Sequence, residues 1–248
     1  MDSPLPLDGR VVLVTGGARR LGAAIGRRLH AAGANLVVHY HQSQAAADAL
    51  VAELEALRGG SAHAVRGDLH DVERLPGLVA ATLERFGRLD VLVNNASSFY
   101  PTPVGTITAA QFDDLVGTNL RAPLFLSQTA APALRASRGL IINMVDIHGR
   151  RPLKAHPVYC AAKAGLVMLT KSLARELGPE IRVNGIAPGP VLWPERDLEA
   201  SLKDEIIART ALKRPGSPQD IARAAHFFAV DAPYVTGQIL AVDGGRSL

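Results

Sequence analysis

Short apolar runs alternate with segments of helical periodicity along most of the 248-residue chain, and this alternation limits the possible folds more than any other feature. The runs have the length and β-branched content of strands that are buried on both faces. Strands are predicted at residues 11–14, 36–38, 62–65, 91–93, 140–142, 181–183 and 239–242. Helices are predicted at residues 21–32, 43–57, 75–86, 109–134, 159–177 and 219–230.

Strict alternation of strand and helix predicts a parallel sheet, because each right-handed crossover carries a helix back over one face. The apolar content of 48% is enough to build the core of a chain of this length. We therefore predict a single α/β domain over residues 1–248, a doubly wound parallel sheet of Rossmann type with helices on both faces. Ligands of such sheets bind beyond the carboxyl ends of the strands, where the strand order reverses.

One long connection interrupts the alternation. Residues 188–218 contain the only tryptophan, Trp193, and many prolines. Long connections in a compact domain are usually functional. We predict a substrate lid at about residues 190–215, and the alternative is a flap that contacts a partner.

Charge and composition narrow the functional class. The net charge is +4, and no block of Lys or Arg exceeds a pair, so no nucleic-acid partner is predicted. The chain has neither a long uncharged apolar run nor the pattern of a signal peptide, which predicts no membrane association. The lone cysteine, Cys160, fits a reducing compartment, and a cytoplasmic location is predicted. No metal site is predicted.

A glycine-containing turn follows the first predicted strand and opens the first helix. Glycines let the backbone approach a pyrophosphate, while the helix amino end supplies free N–H groups and a partial positive charge. In this position the turn predicts a dinucleotide site. Arg20 stands where the common motif has its middle glycine and could clamp a phosphate oxygen or reach another ligand. The predicted cofactor residues of this turn are Gly16, Arg19, Arg20, Leu21 and Gly22.

The end of the second predicted strand indicates which dinucleotide binds. An acid there would grip the ribose hydroxyls of NAD and repel a 2′-phosphate, but the chain has none. His41, Gln42 and Ser43 can instead donate hydrogen bonds to a phosphate, so NADPH is predicted. Asp68, after the third strand, either contacts the adenine amine or caps the following helix.

Tyr159 and Lys163 are four residues apart in a predicted helix, which puts phenol and ammonium on one face. The cation is expected to bring the pKa of the phenol toward neutrality and to make it a proton donor or acceptor. Asp146 lies where most relatives of this arrangement have a hydroxyl residue that holds a carbonyl substrate. A carboxylate repels a ketone oxygen, but it can accept from a ring nitrogen or share a proton with Tyr159. The substrate is therefore not expected to be an ordinary ketone.

The order and spacing of these motifs resemble the short-chain dehydrogenase/reductase family from about residue 9 to the end of the chain. The resemblance implies that Tyr159 is the acid, that Lys163 holds the nicotinamide ribose and acidifies Tyr159, and that Asn119 steadies a water-linked proton path. It also assigns further residues to the neighbourhood of the cofactor, namely Asn95, Ala96, Pro188 and Gly189.

Within that family the chain is similar to the pteridine reductases. The similarity rests on Asp146 and on residues 17–22, 39–41, 94–103 and 242–248. It implies a pterin stacked between Phe99 and the nicotinamide, with Ser97 and Arg20 near its polar edge. A flat heteroaromatic gains from an aromatic face when water is excluded, which supports Phe99 independently.

The predicted function is NADPH-dependent reduction of a pterin of the dihydrobiopterin, dihydromonapterin or dihydrofolate type to its tetrahydro form. The proton comes through Asp146 and Tyr159. The first alternative is a carbonyl reductase of the 3-oxoacyl-carrier-protein type, and the second is an NADPH-binding sensor without catalysis. Family members pack subunits through the helices predicted at residues 109–134 and 159–177, so the resemblance also implies a homotetramer.

Overall fold

The structure is a computed structural model that describes residues 5–192 and 199–248. In these residues seven parallel strands form one sheet, and each predicted strand is confirmed within a few residues. The strands are β1 (Val11–Val14), β2 (Asn35–Tyr40), β3 (Ala62–Arg66), β4 (Val91–Asn94), β5 (Leu140–Met144), β6 (Arg182–Pro188) and β7 (Ile239–Val242). Their order across the sheet is β3-β2-β1-β4-β5-β6-β7.

The strand order reverses beside β1. Leu13 of this strand is in register with Val37 of β2 on one side and with Leu92 of β4 on the other. Crossovers leave the two sides in opposite directions, and a crevice opens at the carboxyl ends of β1 and β4. The predicted doubly wound α/β fold is confirmed.

Helices cover both faces of the sheet. Of those in the described residues, none combines the length and apolar content needed to cross a membrane. The helices are α1 (Arg20–Ala31), α2 (Gln44–Leu57), α3 (Leu75–Phe86), α4 (Ala109–Val116), α5 (Ala122–Ser137), α6 (Pro157–Leu177), α7 (Ala200–Ala208) and α8 (Pro218–Val230).

The sheet separates two apolar layers. Val12 and Val14 of β1 face the layer formed with α1, α2 and α8, whereas Val11 and Leu13 face the layer formed with α3, α5 and α6. Successive side chains of a strand point to opposite faces, so a strand buried on both sides needs a continuous apolar run. The apolar runs of the sequence are explained by this burial.

The helix predicted over residues 109–134 is not continuous, which corrects the sequence prediction. A π-helical turn, Gly117–Arg121, separates α4 from α5, and the Ala122 N–H closes it on the Gly117 carbonyl. Such turns insert one residue into a helix and are frequent at functional sites. The side chains keep a nearly helical period through the turn, so the sequence pattern did not indicate it. Asn119 lies in this turn.

The ends of the predicted lid are close together. The Gly216 N–H donates to the Pro190 carbonyl at 3.0 Å, which fixes the base of the segment at the end of β6. The helix α7 forms part of it. Trp193, Pro194 and Glu195 lie outside the described residues, and the lid stays a prediction.

Candidate active site and dinucleotide cleft

A cleft of about 610 Å³ opens at the carboxyl ends of the central strands, as expected for the reversal of strand order. The predicted cofactor and substrate residues between Gly16 and Ser97 are spread over more than 80 positions of the chain. Twelve of them line this cleft. They are Gly16, Arg19, Arg20, Leu21, Gly22, His41, Gln42, Ser43, Asp68, Asn95, Ala96 and Ser97.

The glycine turn has no room for side chains. Gly16 has φ +58°, and a Cβ there would lie 3.1 Å from the Cα of Ala96. A Cβ on Gly22 would lie 2.4 Å from the Gly16 carbonyl oxygen and 2.6 Å from Nδ2 of Asn95. Both positions therefore require glycine: Gly16 lies against the backbone after β4, and Gly22, in the first turn of α1, lies against the glycine turn and the Asn95 side chain.

Arg20 begins α1 with φ +54°, in the left-handed region. This conformation costs a residue with a side chain about 1 kcal/mol or more, and it explains why glycine is common at this place. Strained backbone of this kind concentrates at functional sites. Since Arg20 also lines the cleft, the strain points to a function for its guanidinium.

Thr15 and Asn95 hold the glycine turn against β4. The Asn95 amide nitrogen donates to the carbonyl oxygens of Thr15 at 2.8 Å and Gly16 at 3.1 Å. The Thr15 hydroxyl accepts the backbone N–H groups of Asn95 at 2.9 Å and Ala96 at 3.1 Å. These bonds fix the position of the turn before any ligand binds.

The predicted contact between Tyr159 and Asp146 is present. The Tyr159 hydroxyl donates to Oδ2 of Asp146 at 2.7 Å, and Oδ1 accepts the backbone N–H of His148 at 2.8 Å. Asp146 follows β5 by two residues, while Tyr159 lies in the first turn of α6. Residues thirteen positions apart therefore meet at the carboxyl edge of the sheet.

The pKa of Tyr159 differs from the sequence prediction. Burial raises it well above its ordinary value, and the charge and hydrogen bond of Asp146 raise it further, while a bond with the Ser97 hydroxyl lowers it. The sequence predicted a pKa brought toward neutrality by Lys163. Desolvation and the carboxylate outweigh that effect, so the phenol keeps its proton at neutral pH.

Lys163 is 2% exposed, and its Nζ donates to the Met144 carbonyl oxygen at 2.8 Å. The Nζ lies 5.7 Å from the centroid of the Tyr159 ring. Burial lowers the pKa of Lys163 to about 8, although the charge of Asp146 opposes this shift. The ammonium is thus fixed beneath the phenol by the end of β5.

Asn119 is fully buried and links the π-helical turn to the segment after β4. Its Nδ2 donates to the Ser98 carbonyl oxygen at 2.9 Å, and its Oδ1 accepts the Ser97 hydroxyl at 2.6 Å. Ser97 also lowers the pKa of Tyr159, so Asn119 contacts a residue that acts on the phenol. Asn119 is therefore linked through Ser97 to the surroundings of Tyr159, and its part in a proton path stays a prediction.

Phe99 lies between two aromatic rings. Its ring stacks on His156 with centroids 4.8 Å apart and planes 12° apart, and it meets Tyr159 edge to face at 4.8 Å. His156 is 8% exposed, whereas Phe99 is 41% exposed. One face of Phe99 is thus supported from behind while part of the ring is accessible to a ligand.

Pro188 and Gly189 are not among the residues that line the cleft. Pro188 ends β6, and the N–H of Gly189, the next residue, donates to the Val242 carbonyl oxygen at 3.1 Å. A Cβ on Gly189 would lie 2.6 Å from the Cα of Asp243, so this glycine allows β6 to approach the chain after β7. Contact of these two residues with a cofactor stays a prediction.

Comparison with known proteins identifies the family. The family model described as enoyl-(acyl carrier protein) reductase matches residues 16–247. The chain belongs to the short-chain dehydrogenase/reductase family. It is 38% identical to pteridine reductase 1 of Leishmania tarentolae, over 96% of both chains. It is 36% identical to the 3-oxoacyl-acyl-carrier-protein reductase of Staphylococcus aureus strain Mu50, over 94% of this chain and 96% of the relative.

One solved structure agrees closely with this one over its whole length. The blue fluorescent protein from a metagenomic library, in complex with NADPH, matches with a TM-score of 0.92 and 37% identity, covering 98% of this chain and all of the other. The chain is an oxidoreductase of this family. Relatives with pterin and with acyl-carrier-protein substrates are almost equally similar, so overall similarity does not decide the substrate.

Several polar residues of the site were not singled out from the sequence. Asp114 lines the cleft, accepts the Tyr100 hydroxyl at 2.8 Å and lies 3.1 Å from Nε2 of His70. Burial and Asp114 raise the pKa of Tyr100 to about 12. His39, a histidine inside the apolar strand β2, also lines the cleft. The described residues contain no cluster of His, Cys, Asp and Glu suited to a metal ion.

Proposed function

We propose that this oxidoreductase uses NADPH to reduce a C=N bond of a dihydropterin or oxidised pterin to the tetrahydro form. The observation that carries the proposal is the hydrogen bond of 2.7 Å from the Tyr159 hydroxyl to Asp146. A carboxylate in contact with the phenol disfavours a ketone oxygen, but it suits the N–H groups and protonated ring nitrogens of a pterin.

The cleft fits NADPH. Gly16 and Gly22 leave no side chain between a ligand and the backbone, and the amino end of α1 carries a partial positive charge that favours an anion. We propose that the pyrophosphate binds at this turn with Arg20, and that the 2′-phosphate binds near His41, Gln42 and Ser43. The similar structure solved with NADPH supports this assignment.

When bound, NADPH supplies the hydride, and the residues of the protein supply the proton. The raised pKa keeps the proton on the Tyr159 oxygen at neutral pH. Asp146 orients the hydroxyl through Oδ2, and the His148 N–H fixes the carboxylate through Oδ1. The buried Lys163 ammonium offsets the negative charge that remains after the pair gives up a proton. Proton donation by a positioned pair contributes about 10²- to 10⁴-fold to the rate.

Phe99 is proposed to hold the pterin by stacking on its accessible face. His156 supports the opposite side of the ring, and Tyr159 meets its edge, so the plane of Phe99 is fixed. A fixed aromatic plane beside the proton donor favours flat heterocycles, which gain about 0.5–1.5 kcal/mol from such contacts beyond their burial.

The test compares NADPH oxidation with dihydrobiopterin, dihydrofolate and an acetoacetyl thioester. We expect turnover of at least one pterin and little with the thioester. Faster reduction of the thioester would favour the 3-oxoacyl reductase, which the 36% identity to such enzymes also supports. Tight NADPH binding without oxidation by any substrate would favour the sensor.

The assembly and compartment belong to the same proposal. Leu124 of α5 and Met168 of α6 expose apolar surface on helices through which a homotetramer would pack. Light scattering in solution should give the mass of four chains, and a monomer would contradict this.

The single cysteine fits the reducing cytoplasm, and pterins are small soluble substrates of that compartment.

A further inference from the structure

His39 lies inside β2 and is 1% exposed, among apolar residues of the same strand. Both nitrogens of its ring have partners. Nδ1 is 3.2 Å from the backbone nitrogen of Gly16, and Nε2 is 3.2 Å from the carbonyl oxygen of Gly67. The imidazole therefore spans two turns that the sequence separates by 51 positions.

The two partners determine the protonation of the ring. The Gly16 N–H is a donor, so Nδ1 must offer a lone pair, whereas the Gly67 carbonyl is an acceptor, so Nε2 must carry hydrogen. Only the neutral Nε2–H tautomer makes both bonds. In a protonated ring Nδ1 also carries hydrogen, so it cannot accept the Gly16 N–H and that hydrogen bond is lost. The bridge thus exists in one protonation state.

The bridge joins two sides of the dinucleotide cleft. Gly16 belongs to the glycine turn, Gly67 precedes Asp68, and both Gly16 and Asp68 line the cleft. The His39 backbone also takes part, because its carbonyl accepts the Gly17 N–H at 2.9 Å. Loss of the imidazole bonds would remove the link between the glycine turn and Gly67 and leave the Gly16 N–H without its acceptor, which is costly.

We infer that His39 is a positioning residue for the dinucleotide: its neutral imidazole sets the distance between the glycine turn and the Gly67–Asp68 segment, so protonation of the ring weakens cofactor binding. This inference rests on the proposed binding of NADPH in the cleft. It does not rest on the identity of the substrate.

The surroundings of His39 agree with this role. Burial lowers its pKa to about 4, the Gly67 carbonyl and the Asp68 charge oppose the shift, and the charge of His41 adds to it. His41 and Asp68 are thus the ionisable groups that bear on the ring. Since the lowered pKa keeps the ring neutral above about pH 5, the bridge is intact at neutral pH and is lost as the pH falls toward 4.

The first test reads the tautomer directly. Nitrogen-15 NMR of the full chain with labelled histidine distinguishes a protonated ring nitrogen from one with a lone pair. The resonances of His39 are assigned by their loss in His39→Leu or, if that variant does not fold, in His39→Asn. We expect a lone pair on Nδ1 and hydrogen on Nε2 at pH 7, with and without NADPH. The opposite tautomer or a charged ring would overturn the inference.

The second test measures the dissociation constant of NADP⁺, the oxidised form of the cofactor that is stable in acid, by titration calorimetry between about pH 4 and 8. His39→Leu should raise the constant about tenfold at pH 7, because the Gly16 N–H loses its acceptor. His39→Asn keeps an acceptor near Nδ1 and should recover part of the affinity, while its acid dependence should be weaker than that of wild type. His63→Asn, which changes a histidine of the neighbouring strand outside the cleft, is the matched control.

Equal affinity of the His39 variants and wild type, or the same acid dependence in all of them, would overturn the inference. If His39→Leu does not fold, the cofactor affinity of His39→Asn and the tautomer of the wild-type ring still test the inference. A wild-type protein that binds NADPH but reduces no pterin would contradict the proposed pterin reduction and leave this inference intact. A wild-type protein that binds no NADPH would contradict both.

Discussion

The Tyr159 hydroxyl and the Asp146 carboxylate share a hydrogen bond of 2.7 Å in which the carboxylate is held from behind by the His148 N–H. A family member with serine at this position would present a hydroxyl, which can donate to a ketone oxygen. Asp146 presents an acceptor and a charge. The reaction proposed for this protein depends on that difference.

Asp146→Asn removes the charge and keeps the size of the side chain. Because the carboxylate is one cause of the raised pKa of Tyr159, that pKa should fall. The kcat for a dihydropterin should fall about 10²-fold, because the pair loses the carboxylate that shares the proton given to the ring nitrogen. The kcat of wild type and variant, measured across pH, checks this. Asp114→Asn is the comparison, since it removes the charge from a similar bond with Tyr100 and leaves the Asp146–Tyr159 pair unchanged. An unchanged pH profile in Asp146→Asn would rule out a role in proton donation.

Much of the site could be predicted from the sequence, because each of its parts is formed by residues that are close together in the chain. The strand, glycine turn and helix at residues 11–31 are contiguous, and all parallel strands end at the same edge of the sheet, so Asp146 and Tyr159 had to be near one another. The π-helical turn at Asn119 was not predicted, because one inserted residue barely alters the side-chain period.

Other features depend on contacts between distant segments. The stack of Phe99 on His156 joins residues 57 positions apart, and the bridge through His39 joins two turns. The direction of the Tyr159 pKa depends on how deeply the phenol is buried, and spacing alone does not give that depth. Such properties follow from packing, and a single sequence contains no direct signal for them.

The pKa of Lys163 predicts how the rate depends on alkaline pH. Burial lowers this pKa to about 8, so the ammonium loses its proton as the pH rises through that value, and the negative charge left on the pair is no longer offset. We expect kcat/KM for a dihydropterin to fall above pH 8. In Asp146→Asn the fall should begin at lower pH, because the Asp146 charge raises the pKa of Lys163. A constant kcat/KM up to about pH 9 would contradict this role.

Phe99→Leu tests the stacking face. The substitution keeps apolar volume but removes the aromatic plane, so KM for a dihydropterin should rise about three- to tenfold, while the dissociation constant of NADPH stays the same. Phe227→Leu is a matched control, since Phe227 is also 41% exposed but lies on α8, where its ring contacts Phe228 and not Tyr159. Steady-state kinetics of both variants measure KM for a dihydropterin and so test the stacking. An equal rise of KM in the two variants would count against stacking on Phe99.

Gln42→Glu tests the recognition of the 2′-phosphate. The two side chains have nearly the same shape, so the substitution adds one negative charge at the wall of the cleft. The dissociation constant of NADPH should rise about tenfold and that of NADH should change little, because only NADPH carries the 2′-phosphate. Gln44→Glu adds the same charge two residues away, outside the residues that line the cleft, and should have a smaller effect. Fluorescence titration of both cofactors checks this, and equal losses for NADPH and NADH would contradict it.

Arg20→Gly separates backbone strain from ligand binding. Glycine adopts the φ of +54° without steric cost, so the free energy of unfolding should rise by about 1 kcal/mol, while loss of the guanidinium should raise the dissociation constant of NADPH about tenfold. Arg138→Gly is the control, since Arg138 ends α5 with φ +51° and is not among the residues that line the cleft. It should gain similar stability and bind NADPH as wild type does. Denaturant unfolding and NADPH titration measure the two quantities. Unchanged NADPH binding in Arg20→Gly would show that the strained arginine is not retained for the cofactor.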